Sequence, residues 1–371
     1  MKKSLLALAV AGAVAVPYAA QATEVTLSGT AELHLYLSDS KTTGSNSSKA
    51  KSKDSDGLNV DAGDLFLNVG AAEDVGFATA FGNIRYDANN ISGNDLSDVD
   101  SIRVGLKGDF GKVTLGEDTD YAEYGQKAGD IMLENPNTPN AALSYASPNF
   151  SGFTFGVNLI ADADHDDSGT ITAASNSEDV TSDEYDESGT ALGLNYAADL
   201  GTVTLDIGAG VSNVTDTYNG DVASGSNTTE TKKVGQKDTN YSSVGVKVGF
   251  DPVYIALAQQ TEDYTTKPKG GDKQEIEGRK SLDVKVGVSV AAVSASITHS
   301  QGTGLRKIAG TTQVKDADDE SSTRTRFDLG YALSSNVQLK ARVQNGSDEV
   351  DTSSTSDSSE SWARVSLAVA F

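Results

Sequence analysis

Charged residues of opposite sign fall into two separate parts of this chain, and its chemistry must lie between them. Arg85, Arg103, Lys107, Lys247, Lys285, Arg324, Arg326, Lys340, Arg342 and Arg364 recur at every-second positions between apolar residues. Glu117, Asp118, Asp120, Glu123, Asp130 and Glu134 crowd into one tract with a single base, Lys127. A basic face opposed to an acidic segment creates a field. Such a field sorts solutes by charge and dipole and breaks no bonds.

Bond-making chemistry finds little support. Cys is absent, so there is no thiolate nucleophile, disulfide or cysteine metal ligand. The three histidines are His34, His165 and His299, and no serine is marked as a relay partner for any of them. The tract Asp162–Gly169 starts like a calcium loop. Asp167 and Ala173 stand where its glycine and its closing glutamate belong, so the pattern fails. We expect no enzyme, no metal and no cofactor. The acid-rich stretch 162–187 reads as a solvated loop.

The elements that carry the basic residues are strands. Ala363, Val365, Leu367, Val369 and Phe371 alternate with Trp362, Arg364, Ser366 and Ala368. Val244, Val246, Val248 and Phe250 alternate with Ser243, Gly245 and Lys247. The same period runs through Val203–Val211, Leu282–Val288 and Val337–Val343. Successive strand residues point to opposite faces, so each segment has one apolar and one polar face. Strands fall at about 24–37, 62–71, 75–88, 99–108, 111–117, 141–147, 151–162, 188–198, 201–213, 240–250, 253–262, 279–290, 291–300, 323–333, 336–345 and 360–371. Tight connections alternate with the long polar tracts 38–57, 89–98, 118–140, 163–187, 214–239, 263–278, 301–322 and 346–359. This pattern predicts an all-β fold: a transmembrane antiparallel barrel of sixteen strands, apolar outside and polar inside. The many inward Gly, Ser and Thr suggest open space within it.

The N-terminus agrees with export. Lys2 and Lys3 precede the apolar run Leu5–Val16, and Ala20-Gln21-Ala22 is a small-x-small cleavage site. Residues 1–22 therefore read as a Sec signal peptide, with one barrel domain over 23–371. The formal net charge is −24, which argues against a nucleic-acid partner.

Several runs then carry a family resemblance. Val104-Gly-Leu-Lys-Gly-Asp-Phe-Gly111 is followed by Val113-Thr-Leu-Gly116 and by Ser144-Tyr-Ala-Ser-Pro-Asn-Phe-Ser-Gly-Phe-Thr-Phe-Gly156. With the leader and the terminal Phe371, they resemble the Gram-negative general porins. The resemblance implies a sixteen-stranded homotrimer in the outer membrane, with its third long loop folded inward as a constriction. Here that loop is 118–140. It also implies that Phe371 is read by the barrel-assembly machinery. Glu123 and Asp130 would be constriction carboxylates facing Arg85 and Arg103. Two departures stand out: Glu117 follows Gly116 where the family often has Arg, and 62–71 contains no basic residue.

The expected activity is passive diffusion of ions and small hydrophilic solutes, with mild cation preference. Expected surroundings are outer-membrane lipid and lipopolysaccharide. The alternatives are a substrate-selective porin and a closed structural or adhesive barrel.

Overall fold

The computed structural model describes residues 24–43, 57–87, 98–129, 142–165, 169–172, 179–182, 184–224, 228–268, 274–304, 320–350 and 357–371. The expected leader lies outside these residues, as do Asp130, Glu134 and the rest of 130–141.

Chain order begins with β1 (Glu24–Thr43), β2 (Gly57–Asp74), β3 (Thr79–Asp87), β4 (Asp98–Gly108) and β5 (Gly111–Gly116). A short 3-10 turn, Tyr121–Gly125, separates β5 from β6 (Ala142–Ala146) and β7 (Phe153–His165). Then come β8 (Gly169–Thr172), β9 (Asp179–Ser182), β10 (Glu184–Asp199), β11 (Thr204–Ser224) and β12 (Thr228–Phe250). The chain continues through β13 (Val253–Pro268), β14 (Gln274–Val290), β15 (Val293–Thr303), β16 (Glu320–Ala332), β17 (Val337–Val350) and β18 (Asp357–Ala370). Strands β8 and β9 pair with each other as a separate hairpin, and the remaining sixteen close one barrel. Every pairing in it is antiparallel between successive strands, as the alternation requires.

Burial follows the two-residue period with the usual sense reversed. Leu33, Leu35, Leu192, Val211, Ile255, Leu257 and Val365 are exposed. Their neighbours His34, Ala191, Ser212, Ala256 and Ser366 are buried. The largest fully buried side chains include Tyr121, Tyr241, Gln260, Glu262 and Asn158. In water, each exposed aliphatic side chain would cost ~1.5–3 kcal/mol relative to burial. In hydrocarbon that cost vanishes, while unpaired backbone groups become prohibitive. A closed ladder with an apolar exterior satisfies both demands.

The seam lies between β1 and β18. The Phe371 amide donates to the Gly29 carbonyl at 3.0 Å, and the Gly29 amide donates to Phe371 O at 2.9 Å. A Cβ on Gly29 would sit 2.5 Å from the Phe371 ring and 2.7 Å from the Phe66 carbonyl. The aromatic end of the chain therefore lies flat against a glycine on the first strand.

The ladder reaches further than the alternation does. Tract 214–239, expected as a loop, is largely paired: β11 and β12 continue, with one register shift between Tyr218 and Asn219, out to Ser224 opposite Thr228. At ~3.3 Å per residue, a strand of 21 residues spans on the order of 70 Å, against an apolar band of ~25 Å. Parts of 38–57, 163–187, 263–278 and 346–359 are likewise strand. Past the membrane both faces meet water, so the hydrophobic period disappears. The backbone still gains by pairing, and residues such as Thr228-Thr229-Glu230-Thr231 favour extended chain.

Gly29→Val should drive a side chain into the seam and cost ~1–3 kcal/mol, the usual penalty of overpacking. The check is the denaturant midpoint followed by fluorescence of Trp362, the chain's one tryptophan, on β18. An unchanged midpoint would show that Phe371 does not lock the barrel.

Candidate functional site

The acidic tract after β5 turns into the barrel. Asp120 caps the 3-10 turn, its carboxylate accepting from Ala122 N at 2.8 Å. Such a segment has few backbone partners of its own, and buried amides and carbonyls need them. Inward-facing side chains of distant strands supply them. Asn158 on β7 accepts from Tyr121 N at 3.1 Å and donates to Thr119 O at 3.1 Å. Ser243 on β12 accepts from Gly125 N at 3.0 Å and donates to Ala122 O. Gln126 donates to the Tyr241 hydroxyl at 2.8 Å, which donates to Gln260, which donates to Asp283 at 3.0 Å. Lys127 closes the series on Asn195 at 2.6 Å and Asp206 at 2.9 Å.

Glycines on the wall let the segment lie this close. A Cβ on Gly193 would be 2.1 Å from Tyr121 O, and one on Gly210 would be 2.1 Å from Ala122 O. On Gly208 it would be 1.8 Å from Tyr124 O, and on Gly245 it would be 2.0 Å from Gly125 O. The expectation that inward glycines mean open space is therefore wrong at these positions. They form the track on which the segment lies. Tyr121 and Ala122 are fully buried there, with Ala191 and Tyr241 beside them. Ala128 packs on Ala256 and Ala258 of β13. Burial, and then the charge of Asp118, push the Tyr121 and Tyr124 phenols above their ordinary range.

Residues 117–129 thus run along the wall from β5 past β7, β10, β11 and β12 to β13. The opposite arc, β14 to β18 and β1 to β4, approaches the described part of this segment at its two ends, where Arg103 stands 3.9 Å from Asp118 and Arg326 comes near Gly129, and leaves the stretch between them clear. At the start of the loop, Arg85, Arg103, Glu117, Asp118, Asn68, Asn83 and Thr119 line a polar opening of about 440 Å³. Asp118 bonds Lys112 at 2.7 Å and stands 3.9 Å from Arg103. Arg85 stacks on Phe66, its guanidinium 3.7 Å from the ring centre.

The sequence sets Arg85 and Arg103 opposite Glu123, and the structure brings Glu117 and Asp118 to these arginines. Glu117 and Asp118 line the opening with these arginines, while the 3-10 turn carries Glu123 along the wall towards Tyr241. Asp130 and Glu134 fall outside the described residues. On the clear arc, Lys340 pairs with Glu32, and both Arg326 and Arg342 bond Asp328, at 3.1 and 2.5 Å. Arg324 donates to the carbonyls of Thr323 and Ser347. Arg364 stands 5.9 Å from the ring of Trp362. Lys107 is exposed near the tight turn after β4. Sequence reasoning missed Asn158, Ser243, Tyr241 and the four track glycines. Their one visible signal was inward position, which they share with dozens of other residues.

A sequence model of the Gram-negative porins matches residues 7–352. The chain belongs to that family. It is therefore an outer-membrane channel protein of a Gram-negative bacterium. Solved structures of similar fold include an anion-selective porin from Comamonas acidovorans, 15% identical with TM-score 0.59, covering 94% of this chain and 100% of that one. The outer membrane channel DcaP of Acinetobacter baumannii is 11% identical with TM-score 0.62, covering 94% and 97%. OmpT of Vibrio cholerae, in a structure described as its trimer form, is 13% identical with TM-score 0.56, covering 93% and 100%. At these identities the likeness extends to fold alone. A comparison with curated protein sequences finds no match.

Gly210→Val should lift this porin's inner segment off β11 at ~1–3 kcal/mol of stability. Single-channel conductance should rise and become noisier, because the segment no longer holds one position. Unchanged conductance and noise would mean that it tolerates the intrusion without moving.

Proposed function

We propose that this porin is a water-filled pore for passive diffusion of ions and small hydrophilic solutes, and that it works as a homotrimer. The observation that carries the reading is the inner segment lying along one wall while the other wall stays lined with charge. Arg85, Arg103, Lys285, Arg326, Lys340, Arg342 and Arg364 stand on the clear arc, with Glu117, Asp118, Asp120 and Glu123 on the segment. A solute between them must align its dipole and leave apolar groups unsolvated by neighbours. Small polar solutes pass most easily. Phe371 at the seam supplies an exposed aromatic end for the assembly machinery to read, and the apolar exterior meets outer-membrane lipid.

Ion preference follows from range. At 0.01 M salt the Debye length is ~30 Å, so an entering ion feels the whole chain and its formal charge of −24. At 1 M it is ~3 Å, and only groups at the wall matter. Cations are favoured at low salt, and the preference fades as salt rises.

In a planar bilayer, purified protein should insert with three equal conductance steps. Silence from protein whose folding is verified by heat-modifiable gel mobility would overturn the open-pore reading. Under a potassium chloride gradient at low ionic strength, the reversal potential should carry the cation sign and shrink in concentrated salt. The anion sign at low salt would sink the proposed preference.

A further inference from the structure

Three inward cations of the clear arc, Lys285, Arg326 and Arg342, gather near one carboxylate, Asp328, away from the opening at Arg85 and Arg103, and Lys247, its Nζ 4.4 Å from the Tyr254 ring centre, stands at their border. Lys247, Lys285 and Arg326 fall on one cross-strand row. Lys247 is opposite Ala256, Ala256 opposite Lys285, Lys285 opposite Thr298, and Thr298 opposite Arg326. With strands ~4.8 Å apart, each cation stands ~10 Å from the next. The residues between them, Ala256 and Thr298, are small, so long side chains can lean across them. Arg342 joins from β17. Arg326, Asp328, Lys247 and Arg342 all act electrostatically on Lys285.

Among the described residues, the acids nearby do not balance this group. Asp328 is shared by Arg326 and Arg342, each bonding it through Nε. Among the described residues, their NH1 and NH2 ends make no hydrogen bond. Asp206, opposite Lys247, bonds Lys127. Asp283, two residues before Lys285 on the same face, accepts from Gln260. Between Lys285 and Arg326, the Thr298 hydroxyl is fully buried and has no hydrogen-bond partner among the described residues. A buried polar atom without a partner costs free energy that a ligand oxygen would recover. Arginine forks suit phosphate oxygens, lysines add point charges, and a hydroxyl completes the donor set.

We infer that Lys285, Arg326, Arg342 and Thr298, with Lys247 at the edge, form a binding site for solutes bearing a multiply charged phosphate group. The inference rests on the open-pore reading, since the solute arrives through the lumen. Net negative charge repels such solutes at long range. At 0.1 M salt the Debye length is ~10 Å, so the local cations prevail once a solute is inside.

The test is current block by inorganic pyrophosphate at 0.1 M potassium chloride, on folded trimers in a planar bilayer. Wild type should be blocked, and acetate at equal concentration should not block it. The Lys285→Gln/Arg326→Gln double variant should raise the half-block concentration about tenfold or more, as expected for losing charge-assisted bonds. In that variant Asp328 keeps Arg342 as its partner. Lys280→Gln, on the outer face of the same strand, should leave the block unchanged. An open channel that pyrophosphate does not block, or blocks equally in the double variant, overturns the site while the pore reading stands. A channel without current overturns the pore reading. Calorimetric titration of the detergent-solubilised protein with pyrophosphate then decides the site, and absence of binding refutes it.

Discussion

In hydrocarbon, no backbone N–H or C=O can be left without a partner, and the whole structure descends from that demand. A single strand cannot meet it, nor can an open sheet. Closure through Phe371 and Gly29 turns sixteen marginal elements into one ladder without an edge. Once it is closed, composition on each face is decided by what that face meets. The outside takes Leu, Val, Ile and Phe because lipid accepts them. The inside is released from any need for an apolar core, so it can carry Gln260, Glu262, Asp283 and a series of cations.

The same rule, applied within the lumen, explains the inner segment. A 3-10 turn with flanking irregular chain has too few hydrogen bonds of its own. Asn158 and Ser243 each serve one amide and one carbonyl, so two side chains satisfy four backbone groups. At ~0.5–1.5 kcal/mol net per bond, such contacts add up only if the segment comes within reach. The track glycines provide that reach by removing the side chains in its path. Glycine costs strand stability. Its repeated use on β10, β11 and β12 at the same level is understandable only with the segment present.

Charge in the lumen is partitioned by this geometry. Where the segment lies, charges are matched locally: Lys112 with Asp118, and Lys127 with Asp206. On the clear arc, cations outnumber their partners around Asp328. Near the opening, Arg85 and Arg103 face Glu117 and Asp118 across a polar space. Long-range charge therefore governs which ions approach, and short-range groupings govern which solutes linger.

The sequence alone determined the number of barrel strands and the barrel itself. Those features depend on a two-residue period, which is local and survives without any knowledge of neighbours. Even the short strands at 111–116 and 142–146 carried enough alternation to be found. Strand ends beyond the membrane were not legible, because with water on both faces the period has nothing to record. The path of the acidic segment belonged to the tertiary structure alone. Gly125 meets Ser243, and Gln126 meets Tyr241, across more than a hundred residues. Nothing in local pattern marks Gly193 or Gly210 as a landing place rather than empty space. That meaning arises only when barrel closure sets β5 and its following loop opposite strands formed far later in the chain.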